Sequence, residues 1–181
     1  IVSRDWSSDV CSSDLSSVMF SSDLIYARDD ARIGDNHLGM GEMAPYGPRW
    51  GMVPGDGGAA LAPLYFSPPL AKEYLMLGKT WTGRELAEMH LINGAVPADQ
   101  LEDTVREMAT RMANLPSKFL QLKKSSINRQ MDIQGFSAAI RTGAEMDALL
   151  HFTDTIDVVR GSIRANGLRG TIEKFNSGEL L

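Results

Sequence analysis

The sequence is poor in the features that identify several large classes of protein. It has one cysteine, Cys11, among 181 residues, which excludes an internal disulfide and fits a reducing compartment such as the cytoplasm. No apolar run approaches the ~18 residues of a membrane span, so no membrane association is predicted. The formal net charge of −5 argues against a nucleic-acid partner. The motifs CxxC, HExxH and the P-loop are also missing, so no metal site is predicted.

The composition is otherwise that of an ordinary globular domain, except at the N-terminus. Nine of the first 24 residues are serine, and the apolar positions there follow neither the helix nor the strand period. The segment Asp5–Leu15, DWSSDVCSSDL, resembles the conceptual translation of a common DNA sequencing adapter. We therefore predict that residues 1–22 are a leader foreign to the fold, the alternative being a disordered Ser-rich leader.

The most informative stretch reads GMVPGDGGAALAPL. Pro54 and Gly55 predict a tight turn, and Asp56 is placed to cap the helix that follows. Gly57 and Gly58 leave that helix start without side chains, so that an anionic ligand or an oxyanion could approach its free N–H groups. The alternative is a tightly packed turn that binds nothing.

Six short motifs follow one another in a characteristic order. They are a buried strand (Asp23–Ala27), an A-x-x-G strand (Ala31–Gly34), a polar loop (Asp35–Leu38), a G-x-x-P-G-x-G-G turn (Gly51–Gly58), an A-K-E-x-L-x-x-G helix (Ala71–Gly78) and a strand ending in V-P (Leu91–Pro97). This order and spacing resemble the crotonase superfamily, the enoyl-CoA hydratases and isomerases.

The resemblance implies an α/β fold of the crotonase type, with an incomplete spiral sheet and a C-terminal helical region. Residues 23–115 would form a partial core, and residues 116–181 a helical oligomerisation region. A complete family member has a long N-terminal half that supplies further strands and an oxyanion hole made of two N–H groups. The second donor would fall near Asp14 and the first of two catalytic glutamates near Ser17, but this sequence has neither the glycine cluster nor the glutamate there. We therefore interpret the chain as the C-terminal portion of a crotonase behind a leader.

Three residues are candidates for catalysis. His37 occupies the place of the second catalytic glutamate, and an imidazole can act as acid or base near neutral pH. Asp56 stands where common hydratases have a small residue. A histidine combined with V-P-G-D-G resembles a branch similar to 6-oxocamphor hydrolase, in which a carboxylate would orient the imidazole to activate water. Glu42 is the third candidate if the alignment shifts. The alternative for His37 is a loop histidine that hydrogen-bonds to the neighbouring turn, and the alternative for Asp56 is a simple helix cap.

Binding roles are implied for further residues. Trp50, in the Pro/Gly-rich loop, could line the substrate pocket or simply pack that loop on the surface. Lys123 and Lys124 lie on a helix whose family counterpart lies near the phosphates of coenzyme A, although a solvated basic face is equally compatible. The family's C-terminal helices form trimers that often stack as hexamers. We therefore expect a homotrimer or hexamer.

The resemblance implies enoyl-CoA hydratase or isomerase chemistry on acyl-CoA thioesters, in fatty acid metabolism or a related pathway. No separate cofactor is expected, because coenzyme A is part of the substrate. Two alternatives stay open. The first is C–C bond hydrolysis of a cyclic 1,3-diketone, a small carbonyl substrate. The second is a non-catalytic fragment that keeps only the assembly surface, because the loss of one oxyanion donor costs orders of magnitude in rate.

Overall fold

The computed structural model describes residues 10–11, 13–35 and 58–179, which contain five short strands and eight helices. In chain order these are β1 Val10–Cys11, α1 Ser13–Phe20, β2 Tyr26–Arg28, β3 Arg32–Ile33, α2 Gly58–Tyr65, α3 Pro68–Leu77, β4 Trp81–Thr82, α4 Gly83–Glu88, β5 Gly94–Val96, α5 Ala98–Ala113, α6 Ser117–Ile133, α7 Phe136–Leu150 and α8 Asp154–Ser177. In this part of the chain, no helix is both long and apolar enough to cross a membrane.

The strands form two small sheets. The first has the order β1-β3-β4, with β1 parallel and β4 antiparallel to the central β3. The second pairs β2 with β5 in parallel, from Tyr26 opposite Gly94 to Arg28 opposite Val96. Parallel strands cannot be joined by a tight hairpin, and here the connections carry the helices. The predicted α/β class with an incomplete sheet is confirmed.

Helix α1 lies inside the segment that the serine-rich composition assigned to a foreign leader. Met19 and Phe20, at its C-terminal end, are 8% and 1% exposed and belong to the main core. The helix is only eight residues long, so its apolar positions are too few to show a period. Core packing therefore begins before residue 23, the predicted boundary, whereas the origin of residues 1–22 stays a prediction.

An aromatic cluster forms the centre of the core. Phe20 meets Phe66 edge to face at a centroid distance of 5.5 Å, and Tyr74 stacks on Trp81 at 5.9 Å. Each such pair stabilises the fold by about 0.5–1.5 kcal/mol beyond the contribution from burying the rings. The cluster joins α1, α2, α3 and β4, and so fixes the elements around the candidate site.

Helix α8 is interrupted by a non-helical residue, Gly167, and therefore consists of two helical segments. The second part folds back, because Thr171 is 1% exposed and its hydroxyl lies 3.0 Å from that of Ser162.

Candidate active site

Three described elements border the segments that carry the site predicted from the sequence. Helix α1 carries Ser17, strand β3 leads into Asp35, and helix α2 begins at Gly58. Helices α1 and α2 are in contact, and the side chains of Met19, Ile33 and Leu61 from the three elements share one apolar cluster. The common core therefore fixes these elements relative to one another.

Ser17 is 9% exposed, on the inner side of α1. The family resemblance places the first catalytic glutamate near this position. A serine side chain offers a hydroxyl that donates and accepts hydrogen bonds, but it supplies no carboxylate for proton transfer near neutral pH. The described part of the site thus differs from a two-glutamate hydratase at this position.

The end of β3 places a carboxylate in the interior. Asp35 is 2% exposed. Beside it, an ideal Cβ on Gly34 would lie 2.7 Å from the hydroxyl oxygen of Thr80, so the residue that precedes β4 packs closely against the backbone of Gly34. The sequence pattern places Asp35 in the loop and predicts no role for it. The available signal was an acidic residue directly after the A-x-x-G strand.

Helix α2 begins at Gly58, as the glycine-rich turn predicts, and this residue is buried. Five candidate residues lie outside the described residues, and their roles stay predictions. They are His37, Glu42, Trp50, Asp56 and Gly57.

Both candidate lysines of α6 are exposed, and the Nζ atom of Lys124 donates to Oδ2 of Asp23 at 2.5 Å. Asp23 also faces Tyr65, whose hydroxyl donates to the carbonyl oxygen of Phe20 at 2.5 Å. Burial raises the pKa of the Tyr65 phenol above its ordinary 10.0, and the negative charge of Asp23 raises it further. Sequence analysis missed Asp23 and Tyr65 because their contacts join distant parts of the chain.

An open cleft of about 540 Å³ lies elsewhere, between Arg28 of β2 and one face of α5. Three of its four charged side chains are paired within the chain. Arg28 binds the carboxylate of Asp30 through two hydrogen bonds of 2.9 and 2.8 Å, and this pairing lowers the pKa of Asp30. Arg106 pairs with Glu102 at 2.5 Å. No group of three His, Cys, Asp or Glu side chains in the described residues could hold a metal ion.

Comparison with known proteins identifies the family. The profile of the enoyl-CoA hydratase/isomerase family matches residues 16–167, and the chain belongs to this family. It is 31% identical over 121 residues to EchA13 of Mycobacterium tuberculosis, named as an enoyl-CoA hydratase, and this match covers 65% of the chain and 34% of the relative. Carnitinyl-CoA dehydratase of Citrobacter koseri is 29% identical over 111 residues, covering 59% of the chain and 42% of the relative.

Solved structures support the same conclusion. An enoyl-CoA hydratase/isomerase structure from Novosphingobium aromaticivorans superposes with a TM-score of 0.73 at 28% identity, over 92% of this chain and 57% of that one. An enoyl-CoA hydratase from Mycobacterium smegmatis gives a TM-score of 0.76 at 21% identity, over 93% and 53%, and shows the shared fold. The chain spans little more than half the length of these structures and less than half of the two curated relatives.

Proposed function

We propose that this chain contributes to a crotonase-type acyl-CoA site, in which a bound thioester carbonyl is polarised so that an enolate can form. The observation that carries the proposal is the family match over residues 16–167, which includes the C-terminal part of α1, the end of β3 and the start of α2. Hydration or isomerisation of an enoyl-CoA is the reaction class. Coenzyme A enters as part of the substrate, and we propose no other cofactor and a cytoplasmic location.

The residue at position 17 limits the chemistry. Because Ser17 has no carboxylate, a mechanism that divides proton transfer between two glutamates is not open to this chain. We assign proton transfer to His37, with Asp56 orienting the imidazole and the backbone around Gly57 and Gly58 facing the oxyanion. Glu42 is the alternative base, and Trp50 is proposed to line the acyl pocket.

A second candidate function is favoured by the same serine. Hydrolysis of a C–C bond in a cyclic 1,3-diketone, with water activated by His37 and Asp56, needs no carboxylate at position 17. In this reaction the substrate carries no coenzyme A, so the lysines of α6 would have no part in binding.

Assembly is the third element of the proposal. Helix α6 buries none of its side chains within the described chain, and Phe119, Leu122 and Ile127 are 64%, 69% and 62% exposed. Exposed apolar side chains along one helix are typical of an interface. We propose that it contacts further copies of the chain in a homotrimer or hexamer, and that this surface remains functional even if turnover is lost.

The catalytic proposals are separated by offering crotonyl-CoA and a bicyclic 1,3-diketone in parallel. Formation of 3-hydroxybutyryl-CoA that is lost in His37→Ala supports the hydratase. Cleavage of the diketone to a keto acid, lost in the same variant, supports the hydrolase. His90→Ala, the same substitution at an exposed histidine, controls for loss of folding. Turnover of neither substrate by a folded chain leaves the assembly function.

The assembly proposal is tested by sedimentation. Leu122→Glu adds a charge to the apolar surface, and Gln121→Glu adds the same charge at the adjacent exposed position. We expect the first variant to sediment as a monomer and the second to sediment like the parent chain. A monomeric parent, or equal behaviour of both variants, contradicts the proposal.

A further inference from the structure

Apart from the aromatic rings of the core, the buried polar side chains of the described residues lie in two places. Ser162 and Thr171 are buried within α8, where their hydroxyl oxygens lie 3.0 Å apart. The other two are Ser17 of α1, which is 9% exposed, and Asp35 after β3, which is 2% exposed. Asp35 carries the one carboxylate among these four. Because removing a carboxylate from water is costly, a buried one indicates a structural or a chemical role.

The sheet topology places Ser17 and Asp35 at the same edge. Strands β1 and β3 are parallel, and their last residues, Cys11 and Ile33, lie opposite each other. Helix α1 begins two residues after Cys11, and Asp35 follows Ile33 by two residues. Ser17 is the fifth residue of α1 and lies about 6 Å along the helix axis from its first residue. The two buried side chains therefore belong to segments that leave one end of the sheet together.

The start of α2 packs on the same strand. Ile33 of β3 and Leu61, the fourth residue of α2, belong to one apolar cluster. The function proposed above directs the thioester oxygen of the substrate to this helix start. Carbon C2 of the acyl group is bonded to the carbonyl carbon, so a base that acts on C2 has to lie close to the oxyanion donors. Asp35, at the end of β3, meets this requirement.

The backbone that carries Asp35 is firmly held. Strand β3 is the central strand of its sheet and pairs with β1 on one side and β4 on the other. An ideal Cβ on Gly34 would lie 2.7 Å from the hydroxyl oxygen of Thr80, so the residue before Asp35 is closely packed as well. A reacting group mounted on a rigid strand keeps the geometry that proton transfer requires.

We propose that Asp35 is a catalytic residue, the carboxylate that exchanges a proton with C2 of the acyl-CoA. It supplies the carboxylate that Ser17 lacks. A carboxylate oxygen of Asp35 removes the C2 proton, the C–H electron pair forms the C1–C2 double bond of the enolate, and the carbonyl π electrons move to the thioester oxygen. The reverse step returns the proton to C2 and leaves Asp35 ionised, so no further reactant is consumed. Activation of water for C3 stays with His37, and the inference rests on the function proposed above.

Deuterium incorporation at C2 of butyryl-CoA tests this role separately from hydration. Butyryl-CoA has no C2–C3 double bond, so it can form an enolate but cannot add water. In D2O the parent chain should exchange its C2 protons, and Asp35→Asn should exchange them about 100-fold more slowly or less. Asp30→Asn, the same substitution at an exposed aspartate, should exchange like the parent. Equal exchange rates in the parent and Asp35→Asn overturn the proposal.

A purely structural role for Asp35 gives a different pattern. Urea unfolding and butyryl-CoA titration are therefore measured on the same variants, and Asp35→Asn should bind butyryl-CoA as tightly as the parent while exchange is lost. A loss of exchange that only follows a loss of binding and folding overturns the proposal. If Asp35→Asn does not fold, Asp35→Glu and Asp35→Gln form a second pair of equal size. Exchange should be at least about tenfold faster in the glutamate variant, and equal rates in a folded pair overturn the proposal.

Hydration of crotonyl-CoA, measured alongside, separates this inference from the proposed function. Exchange that survives in Asp35→Asn and is lost in His37→Ala gives the proton transfer at C2 to the histidine and overturns the role of Asp35. A parent that hydrates crotonyl-CoA while Asp35→Asn exchanges normally rejects the role of Asp35 alone. A parent that neither exchanges C2 protons nor hydrates crotonyl-CoA rejects the proposed function, and the role of Asp35 with it.

Discussion

The carbonyl oxygen of Arg28 lies 2.1 Å from the point that a Cβ atom on residue 83 would occupy, so the first residue of α4 has to be glycine. The N–H of Gly83 donates to the carbonyl oxygen of Ala31 at 2.8 Å. The next N–H, that of Arg84, donates to Asp29 at 3.1 Å. The turn between β2 and β3 is therefore docked directly on the start of α4.

This contact predicts a large effect for a single methyl group. Gly83→Ala would force the backbone of β2 away from α4, because the obstructing atom is main chain and cannot rotate aside. We expect a loss of about 3 kcal/mol in the free energy of unfolding, measured by urea denaturation. Gly161→Ala is the matched control, since a Cβ there meets nothing within 4 Å. A Gly83→Ala variant as stable as the control would contradict the close packing.

Local signals made α4 predictable. The Thr82-Gly-Arg-Glu85 spacing predicts a helix start, and the structure has both hydrogen bonds of the capping box. The same holds for the glycine-rich opening of α2 at Gly58. In both cases the cause lies within four residues of the helix end, so a sequence pattern is sufficient.

Features that depend on distant residues were not predictable. Phe20 is buried by aromatic rings at positions 65, 66 and 74, which no pattern inside the serine-rich segment reveals. Asp23 and Lys124 form an ion pair although they are 101 residues apart in sequence. The sequence pattern could not show this contact, so it predicted the same binding role for both lysines of α6. The family resemblance was recognised because it depends on the order of motifs and not on contacts.

A second prediction concerns the end of α4. His90 has a φ of 58°, in the left-handed region, where it closes the helix with Leu91 N–H donating to Leu86 at 2.9 Å. A residue with a Cβ is strained there, whereas glycine is not. We expect His90→Gly to stabilise the fold by about 1 kcal/mol in thermal or urea unfolding. His90→Ala removes the imidazole but keeps the strain, so a gain of equal size in that variant would refute the explanation.

A third prediction links α7 to the start of the candidate site on α2. Gly143 is buried, and an ideal Cβ on it would lie 3.4 Å from the Cβ of Ala60. Gly143→Ala should therefore be tolerated, since the new contact is at van der Waals distance and alanine favours a helix. Gly143→Leu should cost about 1–3 kcal/mol through overpacking and push α2 outward.

The consequence for the site is measurable in the same variants. Because Gly58 and Ala60 are on one helix, displacement of α2 in Gly143→Leu should weaken butyryl-CoA binding even where the chain is still folded. Thr142→Leu places the same side chain on the adjacent exposed position and should leave binding unchanged. Unaltered butyryl-CoA binding in a destabilised Gly143→Leu variant would show that the position of α2 does not affect the acyl-CoA site.

The last prediction is a pH dependence that arises from the helix cap at Glu85. The backbone N–H of Thr82 donates to Oε2 of Glu85 at 2.6 Å, and the Thr82 hydroxyl donates to the same oxygen at 2.8 Å. These bonds, the backbone one foremost, hold the pKa of Glu85 below its ordinary 4.5. A carboxylate whose pKa is lower in the folded state stabilises the fold fully above the unfolded pKa, and this contribution disappears as the pH falls through the folded pKa.

Urea unfolding of the parent and of Glu85→Gln should therefore differ by a constant amount near neutral pH, with the parent more stable. The two curves should converge below pH 4.5, because a protonated Glu85 offers no more than glutamine. Thr82→Ala, which keeps the backbone donor and loses the hydroxyl, should show a weaker form of the same pH dependence. A difference between parent and Glu85→Gln that widens in acid would mean that the cap does not stabilise the charged form.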